Sequence, residues 1–351
     1  MPIETLSRRT LIGAAASLVA LARLAGRVGR VAAQDATPTA PTSSLGWSDS
    51  FDDDNGKLNV ATTVAPISSI VRNVGGTRID LHGIIPDGTD SHTFEPAPSD
   101  AKILSKADLV IVNGLHLEQP TVDLAQANLK DGAQIYQLGE NTITEDQWIY
   151  DFSFPKEKGD PNPHLWMNVP FAMNYAKLAQ QWLAERDPTN ADYYQQNLDR
   201  YLAVLTQLDN GIMQSVQTIP EGNRKLLTYH DAYAYFAQHY GMTVIGAAQP
   251  SDFSEPSPQE VAALIDQIKQ EHVPAVFGSE VFPSTVLEQI AKEAGAKYID
   301  KMRDDEPPGD PGDPDHTYVG MMLMDMSLMI PALGGTINAL AGIEPWDTYV
   351  P

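Results

Sequence analysis

No cysteine occurs among the 351 residues. That absence excludes disulfides, cysteine-ligated zinc, iron–sulfur clusters and a thiol nucleophile. It also leads to the expectation that the chain is not a cysteine-linked lipoprotein. Basic residues are few as well: 23 Lys and Arg stand against 46 Asp and Glu, a net charge of −23. Phosphate recognition needs a basic face, so no nucleic-acid partner is expected. The apolar run at residues 11–22 is 12 residues long, short of the ~20 that a bilayer span requires. Charged residues make up only 20% and hydrophobic ones 42%, which suits folded domains with real cores rather than disorder. The length allows two ordinary domains.

What is present begins with an address. Ser7-Arg8-Arg9-Thr10-Leu11-Ile12 leads into the apolar run, and Arg23, Arg27 and Arg30 follow it. Val31-Ala32-Ala33 then places small residues at the −3 and −1 positions of a cut after Ala33. Residues 1–33 are therefore expected to be an export signal, and the paired arginines resemble the twin-arginine type. Removing them takes away five Arg and one Glu and leaves a net charge of −27. Residues 34–56, rich in Thr, Pro and Ser and then in Asp, read as a disordered tether. The expected location is exported: periplasmic, or at the extracellular face of the cytoplasmic membrane.

From residue 57 onward strands and helices alternate. Strands are expected at 58–63, 79–85, 108–112, 134–138, 225–228, 242–245, 275–277 and 297–299. Helices are expected at 66–73, 99–106, 117–129, 231–240 and 285–294, and another opens at Ser257 and buries Val261, Leu264, Ile265 and Ile268. Ser257-Pro258-Gln259-Glu260 is a capping box with proline at the first helical position. This rhythm predicts an α/β fold with mostly parallel sheets. The expected organisation is an N-terminal lobe at 57–190, a long linker helix at 191–218 and a C-terminal lobe at 219–351. Tyr194, Leu198, Tyr201, Leu205 and Leu208 recur at helical spacing along the linker. Gly211 leaves open a break into two shorter helices.

Eight histidines are the inventory for soft metals and acid–base chemistry. His92 lies in a Pro/Gly loop after a strand, His164 in a loop before a helix, and His230 directly after a strand. Loops at the carboxyl ends of strands are where α/β sheets bind ligands, so the three can converge on one cleft. Each alone also reads as an ordinary satisfied polar residue. His239 and His272 sit near helix ends, His82 in a strand, His316 in a Pro/Gly/Asp loop, and His116 reads as structural. The acidic segment Arg303-Asp304-Asp305-Glu306 follows the last strand. It reads either as solvated charge or as a source of oxygen ligands for a cation.

Several segments together resemble a known family. Residues 83–100 carry a Pro/Gly loop and then His-Thr-Phe-Glu-Pro-Ala-Pro-Ser-Asp. Residues 107–118 read Ala-Asp-Leu-Val-Ile-Val-Asn-Gly-Leu-His-Leu-Glu, and 163–168 read Pro-His-Leu-Trp-Met-Asn. Residues 228–241, Glu255-Pro256-Ser257 and 317–322 also match, in order. The chain from about 57 to 341 is similar to the zinc- and manganese-binding solute-binding proteins of ABC importers, the ZnuA/TroA-like cluster with a rigid helical linker, some of whose members have been called adhesins. The resemblance implies two lobes joined by one long rigid helix, with a metal site in the cleft between them. It implies a non-enzymatic role: capture of a divalent metal and delivery to an ABC permease, by a monomer. It implies His92, His164 and His230 as metal ligands, with Asp305 as the fourth by its spacing to Tyr318 and Asp304 as the alternative. Three imidazoles and a carboxylate favour Zn2+, with Mn2+ as the alternative. A rigid linker implies small motion rather than wide closure. A zinc hydrolase is the rival reading, but no His-Glu-x-x-His run is present.

Overall fold

The computed structural model describes residues 51, 55–281 and 284–351. The expected export signal, and all of the tether except residues 51, 55 and 56, lie outside the described residues.

Two four-stranded sheets carry the fold. The first contains β1 (Leu58–Thr62), β2 (Ile79–Gly83), β3 (Leu109–Val112) and β4 (Gln134–Gln137) in the order β2-β1-β3-β4. The second contains β5 (Lys225–Thr228), β6 (Thr243–Ala247), β7 (Ala275–Ser279) and β8 (Lys297–Met302) in the order β6-β5-β7-β8. Every pairing is parallel. The two orders are the same. In each sheet the chain steps outward once and then crosses to the other side of its first strand. That reversal opens a crevice at the carboxyl ends of β1 and β3, and again at those of β5 and β7. The α/β expectation with parallel sheets holds.

Helices cover both faces. In the first half they are α1 (Ala65–Gly75), α2 (Pro98–Leu104), α3 (Gln119–Asn128) and α4 (Val169–Arg186). The second half has α6 (Ala234–Tyr240), α7 (Pro258–Glu271), α8 (Thr285–Ala294) and α9 (Tyr318–Ala332). The capping box forms: Ser257 Oγ accepts from Glu260 N at 3.4 Å, and the Glu260 carboxylate accepts from Ser257 N at 2.7 Å. Helix α9 is rich in methionine and buried on most of its surface. It shows no amphipathic period because water reaches little of it. Helix α6 begins at Ala234 rather than 231.

Between the sheets runs α5 (Ala191–Gln217), unbroken over 27 residues. Gly211 does not interrupt it. A Cβ at that position would lie 2.7 Å from Leu340 Cδ2 and 2.9 Å from the Ala339 carbonyl. Glycine is there so that the turn at Asn338–Leu340 can seat against the helix. The helix is also no free strut. Leu198, Tyr201, Leu205 and Leu208 share one buried cluster with Val60, Leu109 and Ile111 of the first sheet and Leu226, Ala275 and Phe277 of the second. Separate clusters close the outer faces, around Val110 and Val112 on one side and Leu227 and Val276 on the other.

Candidate metal centre

Three histidine side chains from different elements meet at one point. His92 sits on the loop after β2, His164 on the segment before α4, and His230 just beyond β5. Their Nε2 atoms are 3.2 Å apart for His92–His164, 3.2 Å for His92–His230 and 3.0 Å for His164–His230. Nitrogens bound to one ion at 2.0–2.1 Å in tetrahedral geometry stand roughly 3.3 Å apart. The observed triangle is close to that size.

Two of the rings are fixed by amide oxygens. His164 Nδ1 lies 2.8 Å from Asn162 Oδ1, and His230 Nδ1 lies 2.6 Å from Gln249 Oε1. An amide oxygen can only accept, so each Nδ1 carries the hydrogen and each Nε2 lone pair faces the triangle. His92 is held differently, by aromatic packing. Its ring stacks on Phe253 at 4.6 Å and 14°, and Phe154 lies 5.5 Å away. Phe253 reaches that position with φ +58, a costly conformation for a bulky residue. Burial, and then the neighbouring His230, pushes the His92 imidazole well below its usual range; burial and the other two imidazoles do the same to His164. Both are therefore neutral at pH 7 and free to donate a lone pair.

The carboxylates come from the segment after β8. Asp304 Oδ2 lies 3.3 Å from His230 Nε2 and has no hydrogen-bond partner. Asp305 turns one oxygen to Ser91 Oγ at 2.8 Å, and its buried Oδ1 has no hydrogen-bond partner. Both aspartates group with His164 as possible ligands of one ion. Sequence spacing put the fourth ligand at Asp305 with Asp304 as the alternative, and both stand beside the imidazoles. The segment bends after β8, and sequence spacing does not say how its two carboxylates are turned. Two buried acceptors beside three imidazole nitrogens suit a divalent cation, which would satisfy them all.

A residue not singled out from sequence holds this segment. Glu280, just beyond β7, accepts with Oε1 from the backbone N–H of Asp304, Asp305 and Glu306 at 3.1, 3.4 and 3.3 Å. Burial, then the charges of Asp304 and Asp305, raise Glu280 well above the usual carboxylate range. Burial, then Asp305 and Asp325, raise Asp304 likewise. Both carboxyls are therefore easier to protonate than exposed ones.

A strap from the first lobe ties the two halves of the site together. Ser153 N donates to Asp231 Oδ2 at 2.9 Å, and Ser153 Oγ donates to the Gln249 carbonyl at 2.7 Å. Asn162 Nδ2 donates to the Asp231 carbonyl at 2.7 Å, Ile149 N to Tyr235 OH at 3.1 Å, and Lys158 Nζ to the Ser251 carbonyl at 2.7 Å. Asn162, Gln249 and Ser153 also escaped the sequence reading. They are uncharged, and nothing local distinguishes them from loop residues. Of the other histidines, His239 pairs with Asp209 at 2.8 Å, His272 caps α7 with φ +52, and buried His316 lies 3.4 Å from Asp87. His116, expected to be structural, is half exposed.

Comparison with known proteins gives a consistent answer. Residues 60–329 match the family model described as ZnuA, zinc-uptake complex component A periplasmic. The manganese ABC transporter substrate-binding lipoprotein scaA of Streptococcus gordonii is 30% identical over 280 residues, 78% of this chain and 88% of that protein. The manganese-binding lipoprotein MntA of Halalkalibacterium halodurans is 29% identical over 287 residues, 80% and 90% of the two chains. Among solved structures, the periplasmic zinc-binding protein TroA from Treponema pallidum superposes with a TM-score of 0.72 at 28% identity, covering 79% of this chain and 99% of that one.

These relatives correct one expectation. The sequence reading excluded a lipoprotein, whereas the relatives are named substrate-binding lipoproteins of membrane transporters. A missing thiol removes one chemistry of attachment and does not by itself fix where a protein resides.

Proposed function

The chain belongs to the ZnuA family of zinc-uptake component A proteins, and on that premise we propose that it captures a divalent transition metal and passes it to an ABC-type membrane permease. The observation that carries this reading is the convergence of the His92, His164 and His230 Nε2 atoms to within 3.2 Å of one another. In the proposed site these nitrogens bind the ion, with Asp304 Oδ2, 3.3 Å from His230 Nε2, and Asp305 beside it as oxygen donors. One copy supplies the whole set, which is in keeping with a monomer. The role is binding and release rather than catalysis. The relatives are named substrate-binding proteins, and a donor set closed by carboxylate leaves no open position for an activated water.

The cargo we propose is zinc. Three neutral imidazoles are nitrogen donors, and at such sites zinc outranks manganese in the Irving–Williams order. The manganese reading has one observation in its favour: the second carboxylate, Asp305, whose free Oδ1 adds an oxygen that manganese prefers. Chelator-stripped protein titrated calorimetrically with zinc, with manganese, and with each in competition decides between them. One tight zinc equivalent that manganese does not displace, abolished by His230→Ala, supports zinc. Tighter manganese binding overturns zinc, and no tight binding of either overturns the metal-receptor reading.

A further inference from the structure

The proposed ligands are unequal in their access to water. His164 is 0% exposed and His230 2%, and Asp304 and Asp305 are also buried. His92 alone of the three histidines is partly exposed, and it lines a cavity of about 130 Å³. The same cavity is lined by buried Leu115, Ser153 and Phe154, and by exposed His116, Lys158 and Asp160. An ion reaching the centre through this cavity meets His92 first among the proposed ligands.

At the exposed part of the cavity stands a second imidazole–carboxylate pair. His116 Nδ1 and Asp160 Oδ1 are 3.6 Å apart, with the side chains 51% and 61% exposed. That separation is long for a hydrogen bond. It is close to the roughly 3.4 Å between nitrogen and oxygen donors that share one tetrahedral ion. His116 is held there by an unusual backbone. Gly114, Leu115 and His116 all have positive φ, at +84, +51 and +67. The turn is braced by Asn113 N and Gly114 N donating to Glu118, and by Leu115 N donating to Glu140 Oε1 at 2.7 Å. Trp148 lies edge-on to the His116 ring. Lys158 lines the same cavity, and its ammonium is drawn to the Ser251 carbonyl.

We propose that His116 and Asp160 form an entrance subsite, where a hydrated divalent cation exchanges its first waters for an imidazole and a carboxylate before moving to His92. The subsite rests on the metal-capture reading above. A weak exposed pair at the mouth lets the ion shed water stepwise, instead of losing its shell at once inside a buried site. Such a step acts on the rate of entry and exit, whereas the buried centre sets how tightly the ion is held.

Stopped-flow mixing of chelator-stripped protein with zinc tests this, using wild type, His116→Gln, Asp160→Asn and the double variant. The double variant should associate roughly 10-fold more slowly, the scale on which charged entrances act on rates. Chelator-capture dissociation should slow in step, because entry and exit share the path. In zinc-loaded wild type, a second zinc equivalent should shift the His116 ring signals in NMR spectra, and Asp160→Asn should abolish that shift. Wild-type association rates in the double variant, or His116 signals that ignore the second equivalent, would overturn the subsite while leaving the buried centre intact. Absence of any tight zinc site in wild type would overturn both readings.

Discussion

Ser153 and Gln249, from opposite lobes, are joined by a 2.7 Å hydrogen bond from the serine hydroxyl to the glutamine carbonyl. The Gln249 side chain in turn holds His230 Nδ1 at 2.6 Å. The strap across the lobes therefore ends on the residue that aims one of the three imidazoles. Ser153→Ala removes this bond, worth about 1 kcal/mol net. Zinc should then dissociate roughly 5-fold faster, as read by capture with excess chelator. Dissociation at the wild-type rate would show that the strap plays no part in holding the ion.

The two aspartates should separate in a paired experiment. Asp304 offers an unpartnered oxygen near His230, and Asp305 already accepts from Ser91. Asp304→Asn should weaken zinc binding by about 100-fold or more, and Asp305→Asn by about 10-fold. Competition against a zinc-responsive dye measures both. The reverse ranking would return the fourth ligand to Asp305, where sequence spacing put it.

Proton release should trace to carboxyls rather than to histidines. His92 and His164 are pushed well below their usual range, so protons compete with metal there only below pH ~6.5. Because the folded metal-free protein then binds fewer protons on these rings than the unfolded chain does, they lower its stability as pH falls below ~6.5. Asp304 and Glu280 are raised instead. Their contribution to the metal-free fold is present below the unfolded carboxylate range and fades as pH rises toward the raised values. Zinc binding should expel a proton from that pair wherever the pH lies below its raised range. Calorimetry in buffers of different ionisation enthalpy counts it. Glu280→Gln should reduce the count, and a count that Glu280→Gln leaves unchanged would show that the raised carboxyls release no proton to the ion.

Gly211 should be intolerant of a methyl group for reasons of contact alone. Gly211→Ala drives Cβ against the Ala339 carbonyl and Leu340. Despite alanine's better helix propensity, stability should fall by about 1–3 kcal/mol. Urea unfolding measures the loss, and a stabilised variant would mean that the turn at Asn338–Leu340 moves aside at little cost.

Much of the fold was readable locally. Strand β5 and helix α8 appear at their expected bounds, and the Ser257–Glu260 box opens α7 where expected. Alternation of strand and helix gave the α/β class, because each element announces itself over a few residues through caps, breakers and apolar period. Helix α9 lacked that signal: it is buried on most sides, so no polar face marks its turns. The glycine that suggested a break in α5 marks a contact with residues more than a hundred positions away, which no local pattern encodes.

The sequence by itself determined the donor chemistry. With no cysteine, a soft-metal site cannot use thiolate, and three of the eight histidines fall on loops beside strands or helices. Only the tertiary structure decided which side chains hold the rings. Asn162, Gln249, Ser153 and Glu280 act through single hydrogen bonds between segments distant in sequence. Such bonds depend on where two backbones meet, and that is fixed by packing of the whole core rather than by the residues that make them.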